Sequence, residues 1–232
     1  MPANHQARSD EKMPEYMQAM EAFLSGDHLR AEKAIGAAVE KLPDDTRLLH
    51  LLGNIKYTLG RLGEASDAYA KVTRLDPGAC EAYFKLGVCY VRMGKLHEAL
   101  VAFTKNVEGK CNGHVMSWYW MGLINSFLGN DEAALKAFTE LREESSESRL
   151  ANFFLAQLRL RRNENAEALG LLQDLLEVSP EFAEAHYLQG KAYSQMHDVV
   201  KAIGSFRRTL ELNPNDKRAR LEYERLVDVP PL

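Results

Sequence analysis

Cys111 and His114 have the C-x2-H spacing of two metal ligands held in a turn. A structural zinc site needs four ligands, and no second pair with ligand spacing accompanies them, so no metal is expected. Cys80 and Cys89 fall in helical packing registers, and three scattered cysteines make no disulfide framework. That pattern predicts unpaired thiols in a reducing compartment. Arg159, Arg161 and Arg162 form a small basic cluster suited to a helix C-terminus. Without partner clusters it is too thin for a nucleic-acid surface. Arg142-Glu143-Glu144-Ser145-Ser146-Glu147-Ser148 predicts a solvated turn. The chain has no phosphate-cradling glycine loop, no H-E-x-x-H, no G-x-S-x-G and no recognisable frame of paired carboxylates. Neither an enzyme nor a cofactor is expected.

What remains is a long uncharged run from Cys111 to Asn130, holding both tryptophans in Ser117-Trp118-Tyr119-Trp120-Met121-Gly122-Leu123-Ile124-Asn125-Ser126-Phe127-Leu128-Gly129. It is about long enough to span a bilayer. Asn112, Gly113, His114, Ser117, Asn125 and Ser126 within it argue against insertion. The polar start MPANHQARSDEKM has no apolar h-region, so no secretory signal is expected. With 46% hydrophobic residues, net charge −4 and pI near 6.0, the 232-residue chain predicts a soluble, cytoplasmic folded protein with no general pull toward nucleic acid or anionic lipid.

The chain repeats itself. Tyr83, Leu86, Gly87, Tyr90, Gly94, Ala99 and Phe103 recur 34 residues earlier as Leu49, Leu52, Gly53, Lys56, Gly60, Ala65 and Tyr69. They recur 35 later as Trp118, Met121, Gly122, Asn125, Gly129, Ala134 and Phe138, then twice more at steps of 34, with a weaker first copy. A small residue stands at position eight of every unit: Ala19, Gly53, Gly87, Gly122, Ala156 and Gly190. Twelve residues later stands an alanine: Ala31, Ala65, Ala99, Ala134, Ala168 and Ala202. Pro43, Pro77, Pro180 and Pro214 close four of the units. Each unit has two stretches of helical periodicity around a polar or glycine turn. Small residues let the paired helices approach, and proline ends the second one.

This pattern resembles the tetratricopeptide repeat, W-x2-L-G-x2-Y…A-x3-F…P. The resemblance implies an all-α fold, an α-solenoid coiled as a right-handed superhelix of six stacked helix-turn-helix units. The units span 12–45, 46–79, 80–114, 115–148, 149–182 and 183–216, after a flexible tail at 1–11. A capping helix and tail occupy 217–232, with Lys217 to Leu226 mostly charged and amphipathic. Trp118, Met121 and Gly122 fall at packing positions. The opposite side of each first helix, by the same resemblance, lines a concave groove where partners bind.

That groove is expected to include Tyr16, His50, Phe84, Tyr119, Phe153 and Tyr187 at position five, Asn54, Val88, Leu123, Gln157 and Lys191 at position nine, and Tyr57 and Phe127 beyond them. It is apolar in the middle, with charges such as Arg47, Arg92, Arg161 and Glu184 toward its edges. Two specialised grooves of the family do not fit. His50, Asn54 and Lys85 miss the pattern of a carboxylate clamp, and Leu51, Lys85, Trp120, Phe154 and Leu188 replace an asparagine ladder. The expected function is a non-enzymatic adaptor or scaffold binding an apolar protein or peptide segment, cytoplasmic or peripheral on a membrane-bound complex. Two alternatives stand beside it. One is a self-assembling scaffold of the magnetosome-coat type, a homo-oligomer using the methionine-rich first unit (Met13, Met17, Met20, Phe23). The other is the substrate-selecting part of a larger enzyme.

Overall fold

A computed structural model describes residues 14–109, 114–145 and 149–228. The expected tail at 1–11, Met13, Cys111, Ser146, Ser148 and the last four residues lie outside these. Among the described residues there are thirteen α-helices and no strand: α1 (Pro14–Leu24), α2 (His28–Lys41), α3 (Thr46–Thr58), α4 (Leu62–Leu75), α5 (Cys80–Arg92), α6 (Leu96–Glu108), α7 (Val115–Phe127), α8 (Asp131–Glu144), α9 (Arg149–Arg161), α10 (Asn165–Val178), α11 (Ala183–Gln195), α12 (Val199–Leu212) and α13 (Lys217–Val227). They form an all-α solenoid of helical hairpins. The chain divides into two compact units, Met1–Ser117 and Trp118–Leu232.

Every hairpin turns in the same way. Position fifteen takes a positive φ in all six, at Gly26, Gly60, Gly94 and Gly129, and also at Asn163 (58°) and His197 (60°). The next N–H reaches back to a carbonyl of the first helix, as in Asp27 to Ala22 and Lys95 to Tyr90, both 2.9 Å. This is the left-handed C-cap that satisfies the last carbonyls of a helix. Asp27, Asp45, Asp198 and Asp216 cap helix N-termini with their side chains. Asp45 Oδ1 accepts from the backbone N–H of Arg47 at 2.9 Å, and Asp216 Oδ1 repeats the arrangement for Arg218. The Arg47 and Arg218 side chains also bind these carboxylates and hold both below the usual aspartate range.

The small residues do what their size predicts. A Cβ placed on Gly53, Gly87, Gly122 or Gly190 would stand 2.5–2.6 Å from the ring of Tyr69, Phe103, Phe138 or Phe206 respectively. Where position eight is alanine, position twenty-four is aliphatic instead: Ala19 shares a core cluster with Ile35, and Ala156 with Leu172. All six position-twenty alanines are fully buried. Successive hairpins meet through position six of the later one. Leu51 lies in the cluster of Ile35, Leu188 in that of Leu172, and Phe154 stacks on Phe138 at 4.9 Å.

Two features depart from the expectations. Cys80 is disulfide-bonded, so the reading of three unpaired thiols fails there, and with it the argument for a reducing compartment. Spacing along a chain does not reveal which sulfurs a fold brings together. Cys89 is a free, buried thiol whose pKa burial pushes up to about 11. Second, the junction between α6 and α7 lacks a closing proline and is tied by a buried network. Asn106 donates to the Cys80 carbonyl at 2.7 Å and accepts from the Ser117 hydroxyl at 2.6 Å.

Candidate protein-interaction surface

In the first unit, α1, α3 and α5 carry the expected groove residues. Tyr16, His50, Asn54, Tyr57, Phe84 and Val88 are all half-buried. Position five leans onto the ring at position twenty-four of its own hairpin. His50 meets Tyr69 edge-on at 5.6 Å, and Phe84 meets Phe103 at 5.9 Å. The Tyr69 hydroxyl donates to Asn54 Oδ1 at 2.7 Å, and Asn54 Nδ2 lies 3.4 Å from His50 Nδ1. Burial lowers the His50 pKa. Glu81, whose Oε1 is 3.8 Å from His50 Nε2, opposes that shift, and Lys85 adds to it. A cavity of about 420 Å³ opens here, lined by Tyr16, Met20, His50, Asn54 and Glu81 among others. The Arg92 guanidinium covers the Tyr57 ring at 4.8 Å.

The second unit holds the apolar part. Tyr119, Leu123 and Phe127 succeed one another at intervals of four along α7, one face of a helix. Tyr119 and Leu123 are half-buried, whereas Phe127 is 81% exposed. Gly122 is buried as expected, but Trp118 and Met121 are only half-buried. Phe153 and Gln157 on α9 are also half-buried, and Phe153 packs against Phe154 and Phe182, each at 5.3 Å. Arg161 is held at the rim, donating to Ser126 Oγ at 3.0 Å and to Asp131 at 2.6 Å. On α11, Lys191 is half-buried, but Tyr187 is buried between Phe206 and Arg218, whose guanidinium lies 4.5 Å from its ring. Arg218 in turn binds Glu184 and Asp216.

Phe154 was not among the expected surface residues, yet it contacts Tyr119, Phe138 and Phe153. Its place at position six, shared with buried Leu51 and Leu188, was the available signal. Among the described residues no three His, Cys, Asp or Glu side chains gather as metal ligands, and no helix is long and apolar enough to cross a membrane.

Family models described as TPR repeat or tetratricopeptide repeat match residues 53–94, 81–108, 119–177 and 155–217. The chain belongs to the tetratricopeptide repeat family. It is similar to anaphase-promoting complex subunit 3 of Schizosaccharomyces pombe, 24% identical over 209 residues. That match takes in 89% of this chain but 31% of the relative, so the chain spans about a third of that protein's length. Among solved structures it resembles YrrB, described as a TPR protein with an unusual peptide-binding site, with TM-score 0.73 and 23% identity over 84% of this chain and all of YrrB. It also resembles MamA, with TM-score 0.67 and 22% identity over 81% of this chain and 97% of MamA. At these identities the two structures show the fold alone.

Proposed function

We propose that the chain is a non-catalytic protein-interaction adaptor that seats a largely apolar partner segment on the face formed by Tyr119, Leu123 and Phe127, with Phe153 and Gln157 beside it. The observation that carries this reading is Phe127. A phenylalanine that is 81% exposed, in line with two half-buried apolar neighbours, gains from a partner what its own hairpin does not supply. Arg161 at the rim is already neutralised by Asp131, which favours an apolar ligand over an acidic one. A peptide-binding site in YrrB and membership of a multiprotein complex in the yeast relative are consistent with this role. Tyr187 serves its own hairpin core. The first-unit residues around His50 form a more polar surface of their own.

The test is a peptide array of apolar-aromatic and charged helical segments, probed with wild type and with a Leu123→Ala/Phe127→Ala variant of equal helicity. Each lost side chain removes roughly 1.5–3 kcal/mol of gross burial, so binding of apolar segments should fall about tenfold or more. Retained binding by the variant, or selection of charged segments only, would reject this face.

A further inference from the structure

Arg92 and Arg161 hold the same place, position thirteen, in the third and fifth hairpins, and they find different neighbours. Arg161 reaches back to positions twelve and seventeen of the hairpin before it, donating to Ser126 Oγ at 3.0 Å and to Asp131 at 2.6 Å. For Arg92 the corresponding residues are Tyr57 and Leu62. Its guanidinium lies over the Tyr57 ring at 4.8 Å, and among the described residues it pairs with no carboxylate. Stacking on a ring fixes the plane of a guanidinium and leaves its fork of N–H donors free at the edge. A place in the last turn of α5 suits the positive charge, but a helix dipole does not engage those donors.

Lys85 and Val88 precede Arg92 on the same stripe of α5, at intervals of three and four residues, and both are half-buried. Lys85 also forms no ion pair among the described residues, and it stands near enough to His50 to disfavour protonation there. Cations on α3 are already paired, Arg47 with Asp45 and Lys56 with Glu32 and Glu64. Acids on this side gather at the start of α5, where Asp76 and Glu81 line the His50 cavity. Asp67, Glu98 and Lys95 act on Tyr90, which faces the other way on α5. The stripe from Lys85 to Arg92 is therefore left with two unpaired cations around an apolar centre.

We propose that Lys85, Val88 and Arg92, with Tyr57, form a second docking site, for a helical partner segment bearing two acidic residues seven apart and an apolar residue between them. Spacing and charge choose this occupant. Lys85 and Arg92 stand about 10 Å apart along α5, and a helix laid beside it presents two carboxylates at the same separation. The Arg92 fork takes one carboxylate in a bidentate pair, Lys85 takes the other as a point charge, and the apolar residue covers Val88. The α7 face is not involved, so the Leu123→Ala/Phe127→Ala variant should bind such a segment as wild type does.

The test is a nuclear magnetic resonance titration of the full 232-residue chain with alanine-based helical peptides. One carries two glutamates seven apart with a leucine between them. A second has glutamine at both places, and a third has the same composition with the second glutamate moved two residues, off the face. The first peptide should shift the Arg92 side-chain signal and bind more tightly than the other two, and added salt should weaken it. Arg92→Gln should lower its affinity about fivefold or more, with little recovery in Arg92→Lys. Leu62→Asp leaves the cation in place and supplies at position seventeen the carboxylate that Arg161 already has. An aspartate suits the first turn of α4, and this variant should lose binding to a similar extent. Equal binding of all three peptides, or unchanged affinity in both Arg92→Gln and Leu62→Asp, would overturn the proposal. Preference for oligothymidylate over the first peptide would transfer the site to nucleic acid and overturn it too.

Discussion

At the scale of single residues, the glycines divide by what a methyl group would meet. On Gly87 it would strike Phe103, a ring with no exposed surface into which to retreat. On Gly170 and Gly204, inside helices α10 and α12, it would meet nothing within 4 Å. The same substitution therefore has opposite signs. Gly87→Ala should lower stability by about 1–3 kcal/mol through overpacking. Gly170→Ala and Gly204→Ala should each raise it by roughly 0.5–1 kcal/mol, by reducing the freedom of the unfolded chain. Urea midpoints of the three variants check both signs. Much of this was legible beforehand, since small residues at position eight and aromatics at position twenty-four recur in the chain. Which position-five aromatics stay free was not. His50, Phe84 and Tyr187 all lean on the ring behind them, and a helical period does not distinguish a side chain that leans inward from one that stands out.

At the scale of elements, the joints between hairpins differ in how they are made. Most end in a proline turn, but α5, α6 and α7 are joined by Asn106, which is 3% exposed and hydrogen-bonded to both Cys80 and Ser117. Replacing Asn106 with alanine removes both bonds and takes the acceptor away from the buried Ser117 hydroxyl, a loss of about 1–3 kcal/mol. Asn106→Ala should therefore unfold at clearly lower urea, and Asn106→Ala/Ser117→Ala should recover part of the loss. A double variant no better than the single one would show that the network contributes through the Cys80 carbonyl alone. The sequence offered no hint of this joint, because an asparagine in the last turns of a helix reads as an ordinary surface residue. Its burial depends on two partners that lie 26 residues before it and 11 after it. The helices themselves were legible down to their turns, with the left-handed position falling where the pattern places glycine or its substitutes Asn163 and His197.

At the scale of the molecule, stability in a repeat array is close to a sum of hairpins and the interfaces between neighbours. A hairpin with a described neighbour on one side only should open more often than one packed on both sides. Amide hydrogen exchange should accordingly be faster in α1 and α2 than in α3 and α4 of the first unit. In the second unit it should be faster in α13 than in α11 and α12. Uniform protection across either unit would mean that it opens as one cooperative block. The overall class of fold was legible from the 34-residue recurrence alone, because each copy restates the same packing constraint. The use made of the array was less so, since a repeat that specifies its own core so fully leaves its surface free to vary.

The aromatic rings and the glycines beneath them always belong to the same hairpin, while position six is among the contacts that cross from hairpin to hairpin. A genetic crossover at Pro43, Pro77, Pro180 or Pro214 therefore exchanges whole blocks and leaves each ring over its own glycine. Chimaeras cut at those prolines need to match at position six and at the other residues that cross, such as Ala82 against Leu49 and Val72. Cuts between the two helices of a hairpin would part a ring from the residue sized to receive it, so a bulky neighbour could be left beneath an aromatic.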